Sequence, residues 1–309
     1  MKRLMLIAAM LLSLVGCADT TELGDRAIIQ LAAIDCDDGG YTLNALLFSA
    51  GGSGGELDVT QTNVIRVTGS GETLGQAVQS LSLADGKEIY MSETKLIVLG
   101  GGFEEKDAVS ALTTLYRDMR CSLNTPVCCA EKAELLAELE FTEGITAAEK
   151  PVDLIKNAFL SGVSPQATLL DVLADNEGGR PTLIPSFTEG KNGSGMTKDK
   201  EGRTALLDGA RVLSGGRLGA HADIDQTAGA VLLSGETDSV KLSFLLDGEE
   251  TSCEAYRIRA DIKGGKPEVT AYYRSATGSA LTEAQKEAAK AQLLSIVGKG
   301  ADFMLQNEI

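Results

Sequence analysis

Apolar residues fall along this chain in short runs whose spacing predicts alternating strands and helices. Ala27 to Ile34 is almost wholly apolar, Asp35 to Gly40 carries turn residues, and Tyr41 to Phe48 is a second apolar run. Together they predict a β-hairpin. Asn63 to Thr68 alternates as a strand does. Thr73 to Leu83 changes to helical spacing, with Leu74, Ala77, Val78 and Leu81 on one face. Lys95 to Leu99 reads as a buried strand ended by three glycines. Phe103 to Asp118 reads as a helix with Val109, Leu112, Leu115 and Tyr116 inward. A strand over Ser122 to Ala130 and helices over Glu131 to Glu140, Pro151 to Phe159 and Leu169 to Ala174 complete this half.

Gly190 to Gly202 is polar, rich in glycine and has Met196 as its one large apolar residue, which marks a linker. Beyond it, Ala205 to Leu213 and Gly216 to Leu218 suggest strands around a tight turn, and Gln226 to Leu233 a short helix. Val240 to Leu246, Ala255 to Ile262 and Glu268 to Ser275 read as three strands joined at Asp247-Gly248 and Gly264-Gly265. Leu281 to Val297 is a long helix with Thr282 as its cap and Leu293, Leu294 and Val297 inward. The expected class is therefore α+β (mixed α/β) and multi-domain, each module a mixed or antiparallel sheet with helices packed around it. The expected division is a signal peptide over 1–16, an N-terminal α/β region of one or two subdomains over 17–190, a linker over 191–202 and a C-terminal α+β domain over 203–309. No internal repeat of solenoid period is present.

The N-terminus follows a different rule. Lys2 and Arg3 precede an apolar run from Leu4 to Val15, broken only by Ser13, and Gly16, Cys17, Ala18 and Asp19 follow. A basic start, about a dozen apolar residues and a small residue before a cut make a secretory signal peptide. The run is shorter than the roughly 20 residues a permanent membrane span needs. Leu14-Val15-Gly16-Cys17 also resembles the lipobox of bacterial lipoproteins, which implies a diacylglyceryl group on the Cys17 thiol and cleavage just before it. An ordinary signal peptide cut near a cysteine accounts for the same residues, but the order basic, apolar, small, Cys favours the lipobox. Two acyl chains give stable anchoring at ~0.8 kcal/mol per buried methylene, where one is marginal.

Losing Lys2 and Arg3 with the leader leaves 26 basic against 44 acidic residues, a balance of −18. Such a surface repels nucleic acid and anionic headgroups, so lipid must do the anchoring. Five cysteines remain, Cys36, Cys121, Cys128, Cys129 and Cys253. An odd, scattered set without Cys-x-x-Cys is neither a disulfide framework nor a zinc site, and buried reduced thiols are expected. Cys128 and Cys129 are adjacent, so in a strand they point to opposite faces.

Chemistry-bearing patterns are few. Gly51-Gly52-Ser53-Gly54-Gly55 satisfies Gly-x-Ser-x-Gly, but no helix pattern follows the serine as a nucleophile elbow requires. The single histidine, His221, lies in a polar stretch that reads as a surface loop. Gly69-Ser70-Gly71-Glu72-Thr73 lacks the spacing of a phosphate-binding loop and reads as a turn capping a helix. No catalytic residue, cofactor site or metal site is expected.

Several segments, in order, resemble the Ger(x)C lipoproteins, the C subunits of spore germinant receptors. Glu22 to Ile29, leading to Ala33-Ile34-Asp35, is similar to the family's opening strand. Gly71-Glu72-Thr73-Leu74 with Ala77 is similar to its helix start, Lys87 to Gly100 to its lysine-strand segment, and Leu115-Tyr116-Arg117-Asp118 to its Arg-Asp helix end. Arg180 to Pro185 resembles its proline segment, Ala210 to Leu213 with Gly215 to Leu218 its strand–turn–strand, and Gly300-Ala301-Asp302-Phe303 its late motif. The family runs on past that motif; this chain stops at Ile309, from which a last sheet short of a strand, or a truncated or divergent chain, is expected.

The resemblance implies a body without catalytic chemistry or cofactor. It implies a lipoprotein tethered at Cys17 on the outer face of the inner spore membrane, beside A-type and B-type membrane subunits and with no nucleic-acid partner. An anchored solute-binding protein of a transporter is the alternative from another class. A cell-envelope hydrolase is poorly served by one histidine, and an envelope lipoprotein of other role is the bland reading.

Overall fold

The computed structural model describes residues 26–48, 64–138, 148–190, 204–246, 248–275 and 280–309. Leu14, Val15, Gly16 and Cys17, the glycine–serine stretch 51–55 and the expected linker 191–202 lie outside these residues.

Strands β1 (Arg26–Asp37) and β2 (Gly40–Phe48) form the expected hairpin, with a bulge in β1 between Ile29 and Leu31, and β3 (Val64–Gly71) pairs with β2. On the other side of β1 lie β4 (Glu88–Tyr90) and β5 (Leu96–Leu99), parallel to successive stretches of it. Then β6 (Val127–Ala130) and β7 (Thr182–Gly190) continue in parallel, and β8 (Thr204–Ser214) and β9 (Arg217–Ala222) close the sheet antiparallel. The result is one mixed sheet in the order β3-β2-β1-β5-β6-β7-β8-β9, with β4 beside β1.

Period-two alternation decides which helices cover which face. Ile97, Leu99, Val127 and Cys129 face a core shared with α1 (Leu74–Asp85), α2 (Ala108–Arg117) and α5 (Leu169–Glu177). Leu96, Val98, Cys128 and Ala130 face the opposite core, under α3 (Glu134–Glu138) and α4 (Glu149–Leu160). Cys128 and Cys129 thus sit in different cores, as their adjacency in a strand requires. The second unit is a three-stranded antiparallel sheet of β10 (Ser239–Leu246), β11 (Glu249–Lys263) and β12 (Lys266–Ser275). Helices α6 (Ile224–Ser234) and α7 (Glu283–Gln306) share its core. The last turns of α7 reach the first sheet, where Phe303 packs with Val212 and Ala222.

The mixed α+β, multi-layer class is as expected, but several elements differ in extent. The expected helix over Phe103 to Asp118 is broken: Gly101–Glu104 is a 3-10 turn, and α2 starts at Ala108. Asp107 accepts from the Ser110 amide at 3.0 Å, and Ala108 donates to Gly216, which fixes a new helix start. The strand expected from Ser122 shortens to Val127–Ala130, with a Ser122–Thr125 turn before Pro126. Tyr116 points outward at 42% exposure, because Ala108, Ala111, Leu112 and Leu115 form the buried stripe. Helix α7 runs nine residues past Val297, to Gln306. Strands β7 and β8 pair from Thr182↔Leu213 to Gly190↔Thr204, so the sheet continues across the expected linker position. The passage to the second sheet comes after Ala222.

Candidate functional site

Open α/β sheets place ligands beyond the carboxyl ends of their parallel strands. Here the end of β1 is filled by the protein itself, while a hollow of about 200 Å³, lined by Glu131, Lys132, Glu134 and Thr188 among others, lies beyond the ends of β6 and β7. At the end of β1 the Asp35 carboxylate accepts from the Ala133 amide at 3.1 Å, just ahead of α3. The Gly100 amide donates to Ile34 at 2.8 Å, and the Gly101 amide to Glu131 at 3.0 Å. A Cβ on Gly100 would lie 1.7 Å from an Asp35 carboxylate oxygen, so only glycine fits. Burial pushes the Asp35 carboxyl above its ordinary value, against the lowering effect of the Ala133 and Glu134 amides. Asp35 thus ties β1 to α3, and the three glycines let the loop after β5 pass between them.

The other motif residues also build joints. Thr73 and Gln76 form a capping box at the start of α1, and Asp118 is the C-cap of α2. Arg180 places both Nε, at 3.1 Å, and a terminal nitrogen, at 2.7 Å, on one Asp175 oxygen; the Thr182 hydroxyl donates to the other at 3.1 Å. Asp175 therefore links the end of α5 to β7. Arg211 on β8 reaches Glu104 at 2.7 Å and the Gly219 carbonyl at 3.2 Å. Gly300 lies where α7 crosses α6 at Gly229.

His221 lies in strand β9 rather than in a loop, with Nε2 3.3 Å from Asp208. Asp208 occupies a bulge of β8 between Leu207 and Gly209, which turns its carboxylate toward β9. No hydroxyl or thiol among the described residues bonds to His221, so the pair lacks a nucleophile to activate. The five thiols are buried and free. Burial pushes Cys36 up to about 11 and Cys129 up to about 12, which keeps both protonated and unreactive. Among the described residues no group of three His, Cys, Asp or Glu could hold a metal ion, and no helix is long and apolar enough to cross a membrane.

Two hollows remain. One, of about 460 Å³, lies at the amino ends of β5 and β6 and is lined by Ser92, Lys95, Asn124, Thr125, Glu149 and Asp153 among others. Another, of about 310 Å³, lies between α5, the start of β7, α6 and the chain end, with Asp171, Asp175 and Glu236 on its walls. Neither brings a nucleophile to a base. The roles of Asp35 and Arg211 carry no local signal in the sequence, because Ala133 and Glu104 come from distant segments and only the fold brings them together; Asp175 meets Arg180 and Thr182 within seven residues of chain.

The motif positions are spent on joints between layers. Residues 19–188 match the family model described as the spore germination protein N-terminal domain. That match spans more than half of the 309 residues, and the chain belongs to the Ger(x)C family of spore germination proteins. The fold is also similar to the crystal structure of the GerBC protein, with 16% identity and a TM-score of 0.47 over 88% of this chain and 81% of that one. No match is found among curated proteins.

Proposed function

We propose that this protein is a lipid-anchored, non-enzymatic C subunit of a nutrient germinant receptor. It would be tethered through diacylglyceryl on Cys17 to the outer face of the inner spore membrane and assembled with A-type and B-type membrane subunits. The observation that carries the reading is the family match, which begins at Asp19, two residues after Cys17, and runs to Thr188 in β7. The lipobox order Leu14-Val15-Gly16-Cys17 supports the anchor. The acidic balance of the chain supports lipid rather than basic residues as the means of attachment. Tethering raises the effective concentration of the body near membrane partners, which gives the anchor a role without chemistry.

The test is Cys17→Ala in sporulating cells. The variant chain should leave the membrane fraction, and spores should form normally but respond poorly to nutrients. Full membrane retention of the variant would contradict the anchor. Normal germination of spores that lack the chain altogether would contradict the receptor role. The hollow at Lys95 and Asn124 favours the alternative, an anchored solute-binding protein of a transporter. That reading requires saturable small-molecule binding by the isolated body, measured by calorimetry.

A further inference from the structure

The sheet β10–β11–β12 has two edges, and only one is guarded. At the β10 edge the Lys241 amide donates to the Ser161 carbonyl at 3.1 Å, so the loop after α4 covers it. The inward residues of β10, Val240 and Leu242, are each 1% exposed. Strand β12 pairs with β11 alone among the described residues. Its inward residues Val269, Ala271 and Tyr273 face the same core yet stay only partly buried, and outward Tyr272 is 59% exposed. Long open edges invite strand pairing unless lysine, proline or a bulge blunts them. On β12 such guards, Lys266 and Pro267, stand at one end, and the bulge of this ladder lies on β11 between Tyr256 and Arg259, opposite Ala271, so the outer edge of β12 from Glu268 to Arg274 carries no proline or lysine.

The side chains along this stretch complement themselves. Consider two β12 strands antiparallel about Ala271. Val269 then faces Tyr273 on the inward side, a β-branched residue against an aromatic. On the outward side Thr270 faces Tyr272, and Glu268 faces Arg274. Symmetry makes each pairing twice. A register centred one residue earlier would set Lys266 against Arg274, like charges opposite one another. We propose that β12 pairs edge to edge with β12 of a second copy of this chain, in the register centred on Ala271. The two sheets become one of six strands across a two-fold axis, with the same patch used on both subunits. The in-chain pairs Lys263–Glu268 and Arg274–Glu254 are exposed and leave both charges accessible to the partner.

The test uses the chain from Ala18 onward, which keeps every described element, since the first begins at Arg26. Sedimentation equilibrium should show a dimer. Glu268→Arg or Arg274→Glu alone should weaken it by about tenfold or more, because attraction turns to repulsion at symmetric positions. The double variant E268R/R274E should restore it. Ala271→Cys gives a separate reading: paired Cα atoms across an antiparallel ladder lie about 4.5–5.5 Å apart, within disulfide reach, so oxidation should cross-link two chains. Circular dichroism confirms that each variant is folded. A wild-type chain still monomeric at about 100 μM overturns the proposal. So does a dimer indifferent to both reversals, or one the double variant fails to restore.

Discussion

Gly229 and Gly300 meet where α6 crosses α7, so closely that a Cβ on Gly300 would lie 2.3 Å from the Gly229 carbonyl carbon. A Cβ on Gly229 would lie 2.1 Å from the Ile296 oxygen. The contact sets the spacing of the two helices over the second sheet. Gly300→Ala or Gly229→Ala should force them apart and destabilise by about 1–3 kcal/mol, as overpacking does. Urea unfolding measures the loss. An unchanged midpoint in both variants would mean that the helices do not cross here.

Asp35 and Ala133 are 98 residues apart in sequence and 3.1 Å apart in space. Asp35→Ala leaves amides ahead of α3 without an acceptor and should cost about 1–3 kcal/mol. Asp35→Asn keeps an acceptor and should cost less.

The same residue carries a pH signature. Its folded carboxyl lies above the ordinary value, with burial the largest cause. The folded chain therefore binds the proton more tightly than the unfolded one, and wild-type stability falls as pH rises through that interval. Asp35→Asn lacks this contribution. Wild-type should thus lose stability relative to Asp35→Asn from about pH 4 upward, until Asp35 is fully ionised in the folded chain. A gap between the two that stays constant over the range would contradict the burial of this carboxylate.

Asp175 holds Arg180 and Thr182 at once, but the two partners differ in weight. The Arg180 side chain is 66% exposed, so Arg180→Ala should cost no more than about 1 kcal/mol. Asp175→Ala also strands the buried Thr182 hydroxyl and should cost about 1–3 kcal/mol. Chemical denaturation of both variants fixes the order, and a larger loss for Arg180→Ala would reverse the assignment.

All five cysteines from Cys36 to Cys253 are buried and unpaired. In the chain without its leader and Cys17, a thiol reagent should react slowly with the native protein. After denaturation without reductant it should titrate five thiols. A lower count would reveal a disulfide.

Much of the fold was legible because strand and helix periods are local. The run from Ala27 to Phe48 has its apolar residues and turn in adjacent sequence, and its hairpin follows. The capping box at Thr282 and the turn at Gly264-Gly265 are likewise short-range signals. What escaped is long-range. Alternation marks Ala205 to Leu213 as a strand but does not say that its partner is β7, on the other side of the glycine-rich stretch. Helical spacing alone allows either Val109, Leu112 and Tyr116 or Ala108, Ala111, Leu112 and Leu115 to face inward, and only the packing of the folded chain selects the second stripe. The joint at Asp35 is invisible for the same reason, since its partner Ala133 lies 98 residues away and meets it only in the folded chain.

The most direct test of the receptor reading is affinity isolation of the tagged protein from detergent-solubilised inner membranes of spores, with mass spectrometry of what accompanies it. The account predicts stoichiometric recovery of A-type and B-type receptor subunits. Recovery of a transporter permease in their place, or of the chain alone, would contradict it.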